Sequence, residues 1–96
     1  MDDWYLYLVR CQDGSLYTGI TTDVSRRFAE HQGSGDAGAK YLRGRGPLAL
    51  VFQKKLGSRS LALAVESKVK KLPKTRKEEL VTAGKHIDAI IEQVEP

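Results

Sequence analysis

The stretch Trp4 to His31, WYLYLVRCQDGSLYTGITTDVSRRFAEH, decides the fold. Trp4 to Cys11 and Ser15 to Thr21 are rich in aromatic and β-branched residues, and Gln12-Asp13-Gly14 between them is a turn signal. The pattern predicts a β-hairpin in one of two registers. A two-residue Asp13-Gly14 turn pairs Tyr7 with Ile20 and leaves Tyr17 on the opposite face. A three-residue Gln12-Asp13-Gly14 loop pairs Tyr7 with Gly19 and Val9 with Tyr17. The second register is favoured because Gly14 supplies its positive φ without strain. Side chains alternate along a strand, so it puts Tyr5, Tyr7 and Tyr17 on one face. Three phenols together, with Gly19 leaving open backbone beside them, point to a site.

A helix follows directly. Thr22 or Asp23 can cap it, and Val24 and Phe28 form its apolar stripe. With about 3.6 residues per turn, Arg27 and His31 lie one turn apart and flank that stripe. They are expected at the rim of the core near the sheet, not on the outer face with Arg26 and Glu30. Spacing alone also accommodates an ordinary surface arginine and a partly buried histidine.

Taken together, these residues resemble the GIY-YIG nuclease signature. Tyr5-Leu6-Tyr7 matches the first half and Tyr17-Thr18-Gly19 the second, followed by Arg27 and then His31. Glu66 matches the lone glutamate that the family carries on a later helix. Tyr5 stands where the name motif has Gly, and Thr18 where it has Ile. The chain resembles the small stand-alone bacterial members most, and the UvrC catalytic domain and the GIY-YIG homing endonucleases more distantly. The resemblance covers residues 4–80. It implies an α/β (α+β) domain, a three-stranded antiparallel sheet flanked by helices, spanning 1–96 as one unit.

Composition agrees with that scale. Ninety-six residues, 41% hydrophobic and 29% charged, suit one globular domain with a modest core. No apolar run approaches the ~18 residues of a membrane span. The start Met-Asp-Asp-Trp does not read as a signal peptide. A single cysteine, Cys11, excludes an internal disulfide and a cysteine-based zinc site. The expected setting is cytoplasmic, with no membrane partner.

The net charge of +4 is unevenly spread. Residues 23–77 hold fourteen Lys or Arg against four acids, while both ends are acidic. A basic tract of this density is the footprint of a phosphate-backbone partner, although a solvated cationic surface gives the same count. Gln32 to Gly46, QGSGDAGAKYLRGRG, reads as a long glycine-rich loop. Within it Lys40, Tyr41, Arg43 and Arg45 interleave cations with an aromatic, which suits phosphate pairing and base stacking. A solvated linker is the plainer reading.

After Pro47, Leu48 to Leu56 reads as a third strand. Its apolar run is nearly continuous, as in a central strand covered on both faces. Ser58 or Ser60 opens a second helix with Leu61, Val65, Val69 and Leu72 as its buried stripe. Glu66 lies one position off that stripe and is the only acid between residues 37 and 77. It is spaced for an i,i+4 pair with Lys70, and equally placed to hold a divalent metal at a phosphate. Thr75-Arg76-Lys77-Glu78 has capping-box spacing for a third helix ending near Gly84. Residues 86–95 form an amphipathic tail that packs on the domain or supplies a homodimer or protein-partner contact. His86, with no second ligand spaced near it, is read as a surface residue.

The resemblance implies metal-dependent hydrolysis of DNA phosphodiesters, in DNA repair, recombination or processing, with branched or single-stranded DNA among the substrates. Glu66 would hold Mg²⁺ or Mn²⁺, since one carboxylate with waters and substrate phosphate commonly suffices. Arg27 would clamp the phosphate. Tyr17 is the base that the resemblance favours, with His31 assisting and Tyr7 orienting the water or Tyr17. Lys70 joins the loop cations as a nucleic-acid contact. The alternative is a binding module without catalysis, using the same basic middle and the tyrosines as stacking platforms. An adaptor working through its terminal helix is a third possibility.

Overall fold

The computed structural model describes residues 3–32, 42, 46–84 and 86–95. The elements run β1 (Trp4–Arg10), β2 (Leu16–Thr21), α1 (Val24–Gln32), β3 (Ala49–Gly57), α2 (Arg59–Lys70), α3 (Lys74–Ala83) and α4 (Ile87–Val94). The strands form one antiparallel sheet in the order β2-β1-β3.

The hairpin takes the three-residue register. Gly14 has φ 86°, Cys11 N donates to Ser15 O at 2.9 Å, and Gly14 N donates to Cys11 O at 2.9 Å. The Asp13 carboxylate steadies the turn by accepting from the amide and hydroxyl of Ser15. Tyr7 therefore faces Gly19 and Val9 faces Tyr17.

Alternation along β1 divides the core in two. Leu6 and Leu8 pack on Val65 and Val69 of α2, Leu80 of α3, and Ile87 and Ile90 of α4. Tyr7 and Val9 point the other way, with Cys11, Val24 and Leu42, and Tyr5, Tyr17 and Phe28 close around them. The sheet thus has α1 on the tyrosine face and the later helices on the other. The terminal helix is part of the core, so the tail packs on the domain.

Two expectations are corrected. The apolar run at Leu48 to Leu56 is an edge strand, not a central one. β1 takes both ladders and buries Leu6 to Val9 in succession, whereas no residue of β3 is fully buried. The apolar residues of β3 serve the two cores in turn, Leu50 on one face and Val51, Phe52 and Leu56 on the other. The capping box at Thr75 to Glu78 does not form either. α3 starts two residues earlier than that box would place it, with Pro73 at its cap and no side-chain cap bond. Glu78 is instead engaged by Arg10, whose two guanidinium nitrogens reach its two oxygens at 2.7 and 2.6 Å. A bidentate charged pair outcompetes a local cap.

Three other helix ends follow the sequence, while α2 stops at Lys70, two residues short of the expected Leu72. Asp23 Oδ1 accepts from Arg26 N at 3.0 Å and starts α1, Ser58 Oγ accepts from Leu61 N at 3.1 Å and starts α2, and Gly84 ends α3 in the left-handed conformation.

Candidate active site

Tyr7 stands in the middle of the central strand, and what it meets across β2 is a glycine. A Cβ at position 19 would lie 2.5 Å from Tyr7 Oη and 2.6 Å from its Cζ. The expected open backbone at Gly19 is therefore filled by the ring of Tyr7. Passing over Gly19 carries the Tyr7 hydroxyl to His31 Nε2, at 2.8 Å.

Tyr17 completes the aromatic group. Its ring centroid is 6.3 Å from that of Tyr7 and 5.6 Å from that of His31, edge-on at 71°. Tyr7 and His31 are 1% and 5% exposed; Tyr17 is half-buried and forms the solvent side of the cluster. His31 is more deeply enclosed than a rim position implies. Tyr5 lies farther along the same face, opposite Thr21.

The electrostatics of the pair follow from this enclosure. Burial pushes the Tyr7 phenol well above the ordinary tyrosine range, Tyr17 adds to that, the Arg27 guanidinium works against it, and Glu66 contributes a smaller upward effect. Burial, and after it the Arg27 charge, hold the His31 imidazole below its ordinary value, with Glu30 partly offsetting. A neutral histidine accepts at one ring nitrogen. At neutral pH, then, Tyr7 donates and His31 Nε2 accepts.

Arg27 is anchored from its own helix by Glu30 Oε1, 2.8 Å from Nη1. That contact, more than any other, raises the Arg27 pKa. Sequence reasoning missed Glu30, which it left on the outer face with Arg26; the signal was its i,i+3 spacing from Arg27. It did not pair Tyr7 with His31, whose Nε2 the hydroxyl reaches.

Glu66 comes from α2, on the far side of the sheet, yet its charge acts on Tyr7. Its side chain is 18% exposed, and Lys70 Nζ lies 3.5 Å from Oε2. Among the described residues no group of three or more His, Cys, Asp or Glu could hold a metal. A single hard carboxylate fits an ion that keeps most of its waters and is completed by substrate phosphate. Lys40, Tyr41, Arg43 and Arg45 lie outside the described residues. No helix among the described residues is long and apolar enough to cross a membrane.

Three comparisons bear on this arrangement. The chain is 53% identical over 91 residues to a UPF0213 protein of Citrobacter koseri, covering 95% of this chain and 89% of the relative. It is 50% identical to the UPF0213 protein YhbQ of Salmonella typhimurium, covering 99% and 93%. The solution structure of a UPF0213 protein from Bacillus halodurans matches at TM-score 0.54 and 43% identity, over 91% of this chain and 93% of that one. The solution structure of a protein from E. faecalis matches at TM-score 0.57 and 39% identity, over 82% of each. The sequence model described as the GIY-YIG catalytic domain matches residues 3–79, which include Tyr7, Tyr17, Arg27, His31 and Glu66. The chain belongs to the GIY-YIG family, a family of nuclease type.

Proposed function

We propose that this protein is a divalent-metal-dependent endonuclease that hydrolyses DNA phosphodiester bonds at the cluster of Tyr7, Tyr17, Arg27, His31 and Glu66. The observation that carries the reading is the 2.8 Å bond between Tyr7 Oη and His31 Nε2. A buried phenol held above its ordinary range does not offer a standing phenolate. It does not need one here. Tyr7 Oη takes a proton from the attacking water as its own proton passes to His31 Nε2, leaving an imidazolium. This geometry favours Tyr7, backed by His31, over Tyr17 as the base. Tyr17, on the solvent side, orients the attacking water.

Arg27 presents a planar, permanently charged fork to the phosphate as negative charge builds up on it. Glu30 holds that fork in place. Glu66, with waters, would hold Mg²⁺ or Mn²⁺; when bound, the ion supplies charge neutralisation at the scissile phosphate and stabilises the leaving oxygen.

A second reading, a DNA-binding module without catalysis, is favoured by one observation: Lys70 already neutralises Glu66 at 3.5 Å. Cleavage of plasmid and branched DNA with Mg²⁺ or Mn²⁺ decides between them, comparing the wild type with Glu66→Ala and with added chelator. The nuclease reading expects cleavage that both the substitution and the chelator abolish. Binding by both proteins without cleavage by either supports the module.

A further inference from the structure

The cations that follow Glu66 are not used by the chemistry above. Lys68, Lys70, Lys71, Lys74, Arg76 and Lys77 fall within ten residues, with no acid until Glu78. All but Lys77 are exposed. Among the described residues, only Lys70 of the six has an ion-pair partner. Helix stability accounts for Lys68 and Lys70, which lie in the last turn of α2 and complement its dipole, but not for the cations of α3. The first turn of α3 carries no acid, and positive charge there opposes the helix dipole.

Their position is specific. Lys74 Nζ lies 3.6 Å from where a Cβ on Gly14 would sit, so the first turn of α3 lies against the β1–β2 turn. The bidentate Arg10–Glu78 pair holds it there. Tyr17 is three residues from Gly14, roughly 10 Å of extended chain. At the other end of the patch Lys70 touches Glu66. The cations thus follow the chain from Lys70, beside Glu66, across the corner between α2 and α3 to Lys74 at the turn of the hairpin.

We infer that this corner is the track on which a DNA strand leaves the active site, its phosphates meeting Lys71, Lys74 and Lys77. The inference rests on the nuclease reading for its direction, and assigns that site a phosphate-backbone contact outside the glycine-rich loop. Phosphate contacts of this kind position a strand without reading its bases.

The test uses the full chain with Lys71, Lys74 and Lys77 replaced together by Ala. A control of equal charge replaces Lys54, Lys55 and Arg59, which lie away from the corner. Binding of a fluorescent duplex is measured by anisotropy across a salt series without metal, so that cleavage does not interfere. Each duplex phosphate contact contributes about 0.9 to the log–log salt slope. The corner variant is expected to lose about 2 to 3 from that slope, and the control much less. A Lys→Arg triple should restore it. In cleavage, the corner variant should raise KM for long DNA and leave kcat unchanged. An unchanged slope, or equal losses in the corner variant and the control, overturns the track. If the slope falls as expected but no metal supports cleavage by the wild type, the nuclease reading fails and the corner remains a DNA-binding surface.

Discussion

The ring of Tyr7 lies across Gly19 so closely that a methyl group on residue 19 would sit 2.5 Å from the phenol oxygen. The glycine of the second motif half is thus the space that the tyrosine of the first half requires. Gly19→Ala should displace Tyr7 and break its bond to His31. The expected cost is about 1–3 kcal/mol of stability from overpacking. A displacement of about 1 Å at a reacting group costs on the order of a hundredfold in rate. Chemical denaturation and single-turnover cleavage measure the two separately, and a Gly19→Ala protein that cleaves at the wild-type rate contradicts the assignment.

If Tyr7 and His31 work as one relay, their losses should not add. Tyr7→Phe and His31→Ala should each reduce kcat strongly, and the double variant little further. Tyr17→Phe should act more mildly, raising KM more than it lowers kcat. The reverse pattern, with Tyr17→Phe inactive and Tyr7→Phe near normal, returns the base to Tyr17.

The sequence showed the hairpin register and the shared face of the tyrosines because both are local. A glycine in the loop and a period of two are enough to specify them. The Arg27–His31 spacing was visible for the same reason. What stayed hidden depends on residues far apart in the chain. Nothing near Glu78 announces that Arg10, sixty-eight positions away, will take it from its cap. The strand from Ala49 to Gly57 looks central by composition, but only the topology shows that β1 holds the middle. Tyr7 finds His31 rather than Tyr17 because its ring crosses Gly19, a matter of side-chain direction that spacing does not carry.

The direction of the His31 shift fixes a pH dependence. The relay needs a neutral imidazole, and burial with Arg27 holds its pKa below the ordinary value of 6.5. The rate should be flat through neutrality and fall on an acid limb below about pH 6.5. Stability has the same sign. As pH falls below about 6.5 the unfolded chain takes up a proton that the folded chain resists, so the unfolded state binds more protons and stability is lost. Thermal unfolding between about pH 7.5 and about pH 5 should show this loss in the wild type and less of it in His31→Gln.

Thr18 offers a test confined to stability. It is 4% exposed, and its hydroxyl finds no hydrogen-bond partner among the described residues. It pairs with Leu8 across the hairpin, on the face that packs against α2, and it stands where the family motif carries isoleucine. A buried hydroxyl without a partner costs about 1–3 kcal/mol of desolvation. Thr18→Val keeps the branched shape and removes that cost, so it should stabilise the fold by about 1 kcal/mol. For a chain of this size that is a rise of roughly 4–8 °C in Tm. Because the side chain points away from the tyrosine face, kcat should not change. A Tm equal to or below that of the wild type would mean that the hydroxyl is satisfied in solution, by a water held between β2 and α2.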